Sequence, residues 1–165
     1  MRKIWLVPIA AVLLSVFGYS PFRTTDVARL EPVQTMVITA SVGKVRVDCG
    51  EKLVGQGADL ESALADLKAG ADGTVFLATA QQIVVSGEPV IWEQLTRCEG
   101  LRPAARLYQA KKPPGAQQIT EFLLRDQTPA TLLELRIARL YEHQLTVPVL
   151  VQGQGGYRIV SGKPV

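Results

Sequence analysis

The sequence predicts an α+β fold: a mixed β-sheet with packed helices, preceded by one N-terminal hydrophobic signal-anchor helix. Three observations carry this. Short β-rich runs such as VQTMVITA and GKVRVD alternate with segments whose apolar residues recur at helical spacing. The run QQIVVS is continuously apolar over Ile83, Val84 and Val85, as a strand covered on both faces must be. The chain opens on MRKIWLVPIAAVLLSVFGYS, in which no charge occurs from Ile4 to Tyr19.

The Ile4–Tyr19 run spans about 24 Å as a helix, slightly short of a bilayer's hydrocarbon core of about 30 Å. Arg2 and Lys3 hold its start on the cytoplasmic side, so everything after Ser20 is expected to be translocated. Cleavage needs small residues at −3 and −1. Val16-Phe17-Gly18 supplies a bulky valine, and a cut after Ser20 would leave Pro21 next in line. The sequence therefore favours a retained membrane anchor over residues 1–20. A cleaved signal and a buried core helix are the alternatives.

PFRTTDVARLEP, bounded by Pro21 and Pro32, lacks periodicity and reads as a linker over residues 21–32. The folded domain is then residues 33–165. VQTMVITA and GKVRVD form a hairpin about SVG, with Val45 and Val47 facing one way and Arg46 and Asp48 the other. EKLVGQG extends the meander to Gly55 and Gly57. Asp59 is an N-cap, and Leu60, Ala63, Leu64 and Leu67 follow as one apolar stripe, with Lys68 in the last turn and Gly70 just beyond. TVFLATA and QQIVVS are extended and central. EPVIWEQLTRCEG is a short helix ending at Gly100, and PAARLYQA a further strand.

After Pro113-Pro114-Gly115, AQQITEFLLRD is a helix with Ile119, Phe122 and Leu123 on one side. Thr128 and Pro129 read as the N-cap and first residue of the next helix, whose Leu133, Ile137 and Leu140 repeat at helical spacing. VPVLVQ and YRIVSG close the chain around GQGG.

Composition narrows the function. The net charge is +3, but two of those units are Arg2 and Lys3, which leaves 16 basic against 15 acidic residues beyond them. A nearly balanced surface argues against nucleic acid as a partner, and Lys111-Lys112 beside two prolines reads as a solvated loop. The single histidine, His143, stands at a helix end, where a cation suits the dipole. It has no second histidine to join in a metal site, and Cys49 and Cys98 lack zinc-ligand spacing.

GQGADL and GQGG match neither dinucleotide- nor phosphate-binding patterns, and the serine of VVSGE lacks the elbow glycine before it. Glu121 and Glu134 lie in different helices. The expectation is a non-catalytic chain with no cofactor and no metal. In an exported domain two cysteines invite one disulfide, Cys49 to Cys98; in a cytosolic one they would be two buried thiols.

The stretch GQGADLESALADLKAGADGTVFLATAQQIVVSGE, with VQTMVITASVGKVRVD before it and RPAARLYQAKKPPGAQQITEFL after it, resembles the N-terminal domain of the Ger(x)C family. These are the C subunits of spore-germination nutrient receptors. The resemblance rests on Gly55 and Gly57 stepping into a helix with Ala63 and Leu67. It continues through Val75 to Leu77 and Ile83 to Val85 ending in Gly87, then Arg106 to Tyr108 and Ile119 to Leu123. It covers roughly Val33 to Tyr141.

Two features depart from the family. Its lipobox cysteine is replaced by Gly18-Tyr19-Ser20, and its further domains do not follow. The resemblance implies a membrane-tethered, extracytoplasmic domain that acts through contacts with integral membrane proteins of a germination receptor. A soluble secreted module that binds a small ligand or peptide is the alternative.

Overall fold

The computed structural model describes residues 30–50, 52–126, 130–154 and 156–165. The expected anchor over residues 1–20, including Ile4 to Tyr19, lies outside the described residues, as does most of the 21–32 linker. The domain is α+β, with a mixed seven-stranded sheet and four helices among the described residues.

The strands are β1 (Leu30–Pro32), β2 (Thr35–Ser41), β3 (Lys44–Asp48), β4 (Val54–Gly57), β5 (Thr74–Phe76), β6 (Gln82–Gly87), β7 (Arg106–Ala110), β8 (Thr146–Gly153) and β9 (Gly156–Pro164). The helices are α1 (Leu60–Gly70), α2 (Val90–Arg97), α3 (Ala116–Leu124) and α4 (Leu132–Leu140). The main sheet runs β4-β3-β2-β6-β7-β8-β9. Its centre, β2-β6-β7-β8, is parallel, and antiparallel strands flank it on both sides.

The continuous apolar run of β6 now has its reason. Ile83 pairs with Met36 on one side and Leu107 on the other, which places the strand in the interior of the sheet. Ile83 and Val85 enter the layer beneath α1, α2 and α4, whereas Val84 points into the layer beneath α3. A strand with helices above and below must be apolar at consecutive positions.

The meander packs α1 by close approach. A Cβ at Gly55 would lie 2.1 Å from the Ala63 carbonyl oxygen, and one at Gly57 would lie 2.3 Å from the Ser62 Oγ. Only glycine lets β4 run this close beneath the helix. The Asp59 carboxylate caps α1 by accepting from the Ser62 backbone N–H at 2.8 Å, and the Ser62 hydroxyl accepts from the Asp59 N–H in return. The Leu60, Ala63, Leu64 and Leu67 stripe is buried as expected. The Leu60 N–H donates to the Gln94 side chain at 2.8 Å, fastening α1 to α2.

Three expectations are corrected. The last three linker residues, Leu30 to Pro32, are β1 and pair in parallel with β5, so ordered structure reaches back before Val33. β5 belongs to this two-stranded ribbon, and the 3₁₀ turn Leu77–Thr79 separates it from β6. α4 has its N-cap at Thr131, because Thr131 and Glu134 supply the reciprocal cap; Thr128 and Pro129 lie outside the described residues. The repeat read from the sequence is the outward one of two on this helix. Leu132, Leu135 and Ala138 are buried, and Leu133, Ile137 and Leu140 point outward.

Candidate functional site

Among the described residues, α4 carries a row of exposed apolar side chains on the face away from the core. Its Thr131–Glu134 cap fixes where the first turn begins, and the Arg136 guanidinium donates to the carbonyls of Thr96 and Cys98, at 3.1 and 2.7 Å. These bonds hold one flank of α4 against the end of α2. Leu132 and Leu135 then enter the core, and the opposite face carries Leu133, Ile137, Leu140 and Tyr141, with exposures of 49, 45, 74 and 64%. Spaced at i, i+4, i+7 and i+8, they form one continuous row. Scattered exposed leucines are ordinary, whereas a contiguous apolar stripe is the mark of a contact surface.

His143 stands at the end of this row. Its ring stacks on Tyr141 with centroids 6.5 Å apart, and its backbone N–H donates to the Ala138 carbonyl, closing the helix. The side chain is exposed, in keeping with the surface position expected of it.

A concavity of about 990 Å³ lies between the start of β2, the β3–β4 loop and α3. Its floor is a hydroxyl chain: Thr120 donates to the Thr35 Oγ1 at 2.9 Å, and Thr35 donates to the Gln82 Oε1 at 3.3 Å. Glu31, Asp72, Glu121 and Lys52 stand around its rim. Cys49 also lines it, and burial together with the neighbouring Asp48 charge pushes that thiol up to about 12. At neutral pH it is therefore an uncharged, weakly nucleophilic group.

Cys98 lines a different groove, between α1 and α2. Burial raises its thiol as well, against the opposing pull of Lys68 and Arg136. Both cysteines are free, so the Cys49–Cys98 disulfide considered from the sequence is not formed.

The remaining motif residues have structural work. Ala63 and Leu67 are the α1 positions that Gly55 and Gly57 admit to the sheet. Gly87 sits at φ 105°, and a Cβ there would lie 1.7 Å from the Ala40 carbonyl oxygen. Arg106 donates to the Asp126 backbone carbonyl, and the Tyr108 hydroxyl donates to the Asp126 carboxylate at 2.9 Å. Desolvation first, and then Asp126, raises the Tyr108 phenol. The cluster ties β7 to the chain leaving α3.

Among the described residues, no group of three or more His, Cys, Asp or Glu is arranged to hold a metal ion. No helix among them is long and apolar enough to cross a membrane. Sequence reasoning missed Thr35 and Thr120 as partners. Their separation along the chain leaves no local signal, because only the packing of α3 across β2 joins them. No family model, curated protein or solved structure matches this chain.

Proposed function

We propose that this chain is a non-catalytic, membrane-tethered extracytoplasmic domain that works through protein–protein contacts, related to the C subunits of spore-germination receptors. The observation that carries the contact reading is the outward row Leu133, Ile137, Leu140 and Tyr141 on α4. Burial of such a row against a partner returns roughly 25 cal/mol per Å² of apolar surface removed from water. The tether is the uncharged Ile4–Tyr19 run behind Arg2 and Lys3, and the partners are integral membrane proteins of a receptor. Nucleic acid is not among them, since the charge beyond the leader is nearly balanced.

The test is the double variant Leu133→Glu/Ile137→Glu, expressed as the full chain in its own cells. Both positions are exposed, so the variant folds and stays in the membrane fraction, with an intact mass that still includes residues 1–20. On native electrophoresis the unaltered chain is expected in a high-mass complex, and the variant is expected to leave it. A complex unchanged by the two charges overturns the contact reading, and a mature start at Tyr19 or Pro21 overturns the tether.

The hydroxyl-floored concavity beside Thr35 and Thr120 favours a second reading, a secreted module that binds a small ligand or peptide. In that case the signal is cleaved, and Thr120→Val abolishes binding while the α4 variant retains it.

A further inference from the structure

The concavity between the start of β2, the β3–β4 loop and α3 has a one-sided hydrogen-bond balance. Thr35 in its floor is 2% exposed and Gln82 behind it 1%, so this polar floor is built into the interior. The Thr120 Oγ1 lies 2.9 Å from both the Ala116 carbonyl oxygen and the Thr35 Oγ1, and the Thr35 Oγ1 lies 3.3 Å from the Gln82 Oε1. Two hydroxyl protons thus serve three contacts between oxygens, and none is left over for the cavity. Turning the Gln82 amide over would supply a third proton from within and still direct none outward. What the floor offers a ligand is lone pairs.

The walls have the same bias. α1 ends at the cavity with Gly70 and Ala71, which brings the carbonyl end of its dipole there. Lys68, the basic residue of that last turn, lines the other groove, between α1 and α2. Around the rim the carboxylates of Glu31, Asp72 and Glu121 stand against the single ammonium of Lys52, and none of these groups forms a salt bridge among the described residues. The carboxylates come from β1, the turn after α1, and α3, and they ring the opening without converging as metal ligands do. Pro32, Leu53 and Leu124 add apolar surface between them.

We propose that this concavity binds a small organic cation, an aliphatic primary ammonium whose N–H groups donate to the Thr120 oxygen and the rim carboxylates while its stem lies on the apolar wall. The proposal rests on the small-ligand reading of the cavity, and holds whether or not the leader is cleaved. An ammonium brings only donors, each charge-assisted, to a lining that is short of them. A carboxylate would bring acceptors to acceptors.

Putrescine, butanediol and succinate are similar in length and differ in their ends, which makes them the probes. Each is titrated at constant ionic strength against the full chain in detergent, with binding read from backbone amide chemical shifts. Putrescine is expected to shift Thr35, Gln117 and Thr120 saturably, about tenfold or more tighter than butanediol or succinate. Glu121→Gln, at an exposed position of α3, is expected to weaken putrescine about threefold. Thr120→Val abolishes its shifts, and Leu140→Glu on α4 leaves them unchanged. Equal or tighter binding of butanediol or succinate at the same residues overturns the ammonium and leaves the cavity a ligand site. Putrescine shifts that persist in both Thr120→Val and Glu121→Gln place the amine elsewhere and overturn the proposal. No shift from any of the probes overturns the small-ligand reading along with it.

Discussion

The Thr131 hydroxyl accepts a hydrogen bond from the Glu134 backbone N–H at 3.2 Å, and the Glu134 carboxylate accepts one from the Thr131 backbone N–H at 2.8 Å. This reciprocal pair satisfies two donors that a helix start would otherwise leave without partners. It also marks the point at which α4 begins, directly before Leu132, the first residue of the set that faces the core.

Removing the cap should cost stability without touching the outward row. Thr131→Ala is expected to lower unfolding stability by about 1 kcal/mol, read from urea or thermal unfolding. Because α4 stays packed through Leu132 and Leu135, its cross-linking behaviour should not change. An unaltered midpoint would mean that tertiary packing alone fixes the helix start.

How far the sequence reveals this structure depends on whether local pattern and tertiary demand coincide. Ile83 to Val85 is legible as a central strand because burial on both faces requires consecutive apolar residues. Asp59 and the Leu60–Leu67 stripe are legible because cap and stripe agree. α4 is not, because Leu132 and Leu133 are neighbours and each begins an apolar series, Leu132–Leu135–Ala138 and Leu133–Ile137–Leu140. Periodicity finds both and ranks neither; the core packing of Leu132 and Leu135 and the Arg136 bonds to the end of α2 decide. β1 escapes because three residues are too few for a period, and Thr35 with Thr120 because their meeting is wholly tertiary.

Buried and exposed positions should separate cleanly on substitution. Leu64→Asp places a carboxylate without a partner inside the α1 stripe, where it costs several kcal/mol and should unfold the domain by circular dichroism. His143→Ala removes an exposed ring that stacks only on Tyr141 and should leave both fold and function intact. A folded His143→Ala protein that had lost its phenotype at the membrane would favour a catalytic reading over a contact one.

Cys49 makes stability depend on alkaline pH. Its folded value of about 12 lies above the ordinary 9.0, so the unfolded chain loses this proton first as pH rises. The contribution is complete below about pH 9 and declines through the interval up to about 12, where the unfolded state binds fewer protons than the folded one. Cys49→Ala should flatten this alkaline loss in denaturant titrations at several pH values. At pH 8 the native thiol should react with a soluble disulfide reagent far more slowly than the same thiol in denaturant. Equal rates would contradict the burial of this group.

The contact account turns on what touches the outward face of α4. A photo-activatable residue in place of Ile137, in the full chain within its native membrane, should yield one discrete adduct with an integral membrane protein. The same residue in place of the exposed Val42 should yield none, and adding Leu133→Glu should abolish the Ile137 adduct. No adduct at Ile137, or the same adducts at Ile137 and Val42, would contradict the account.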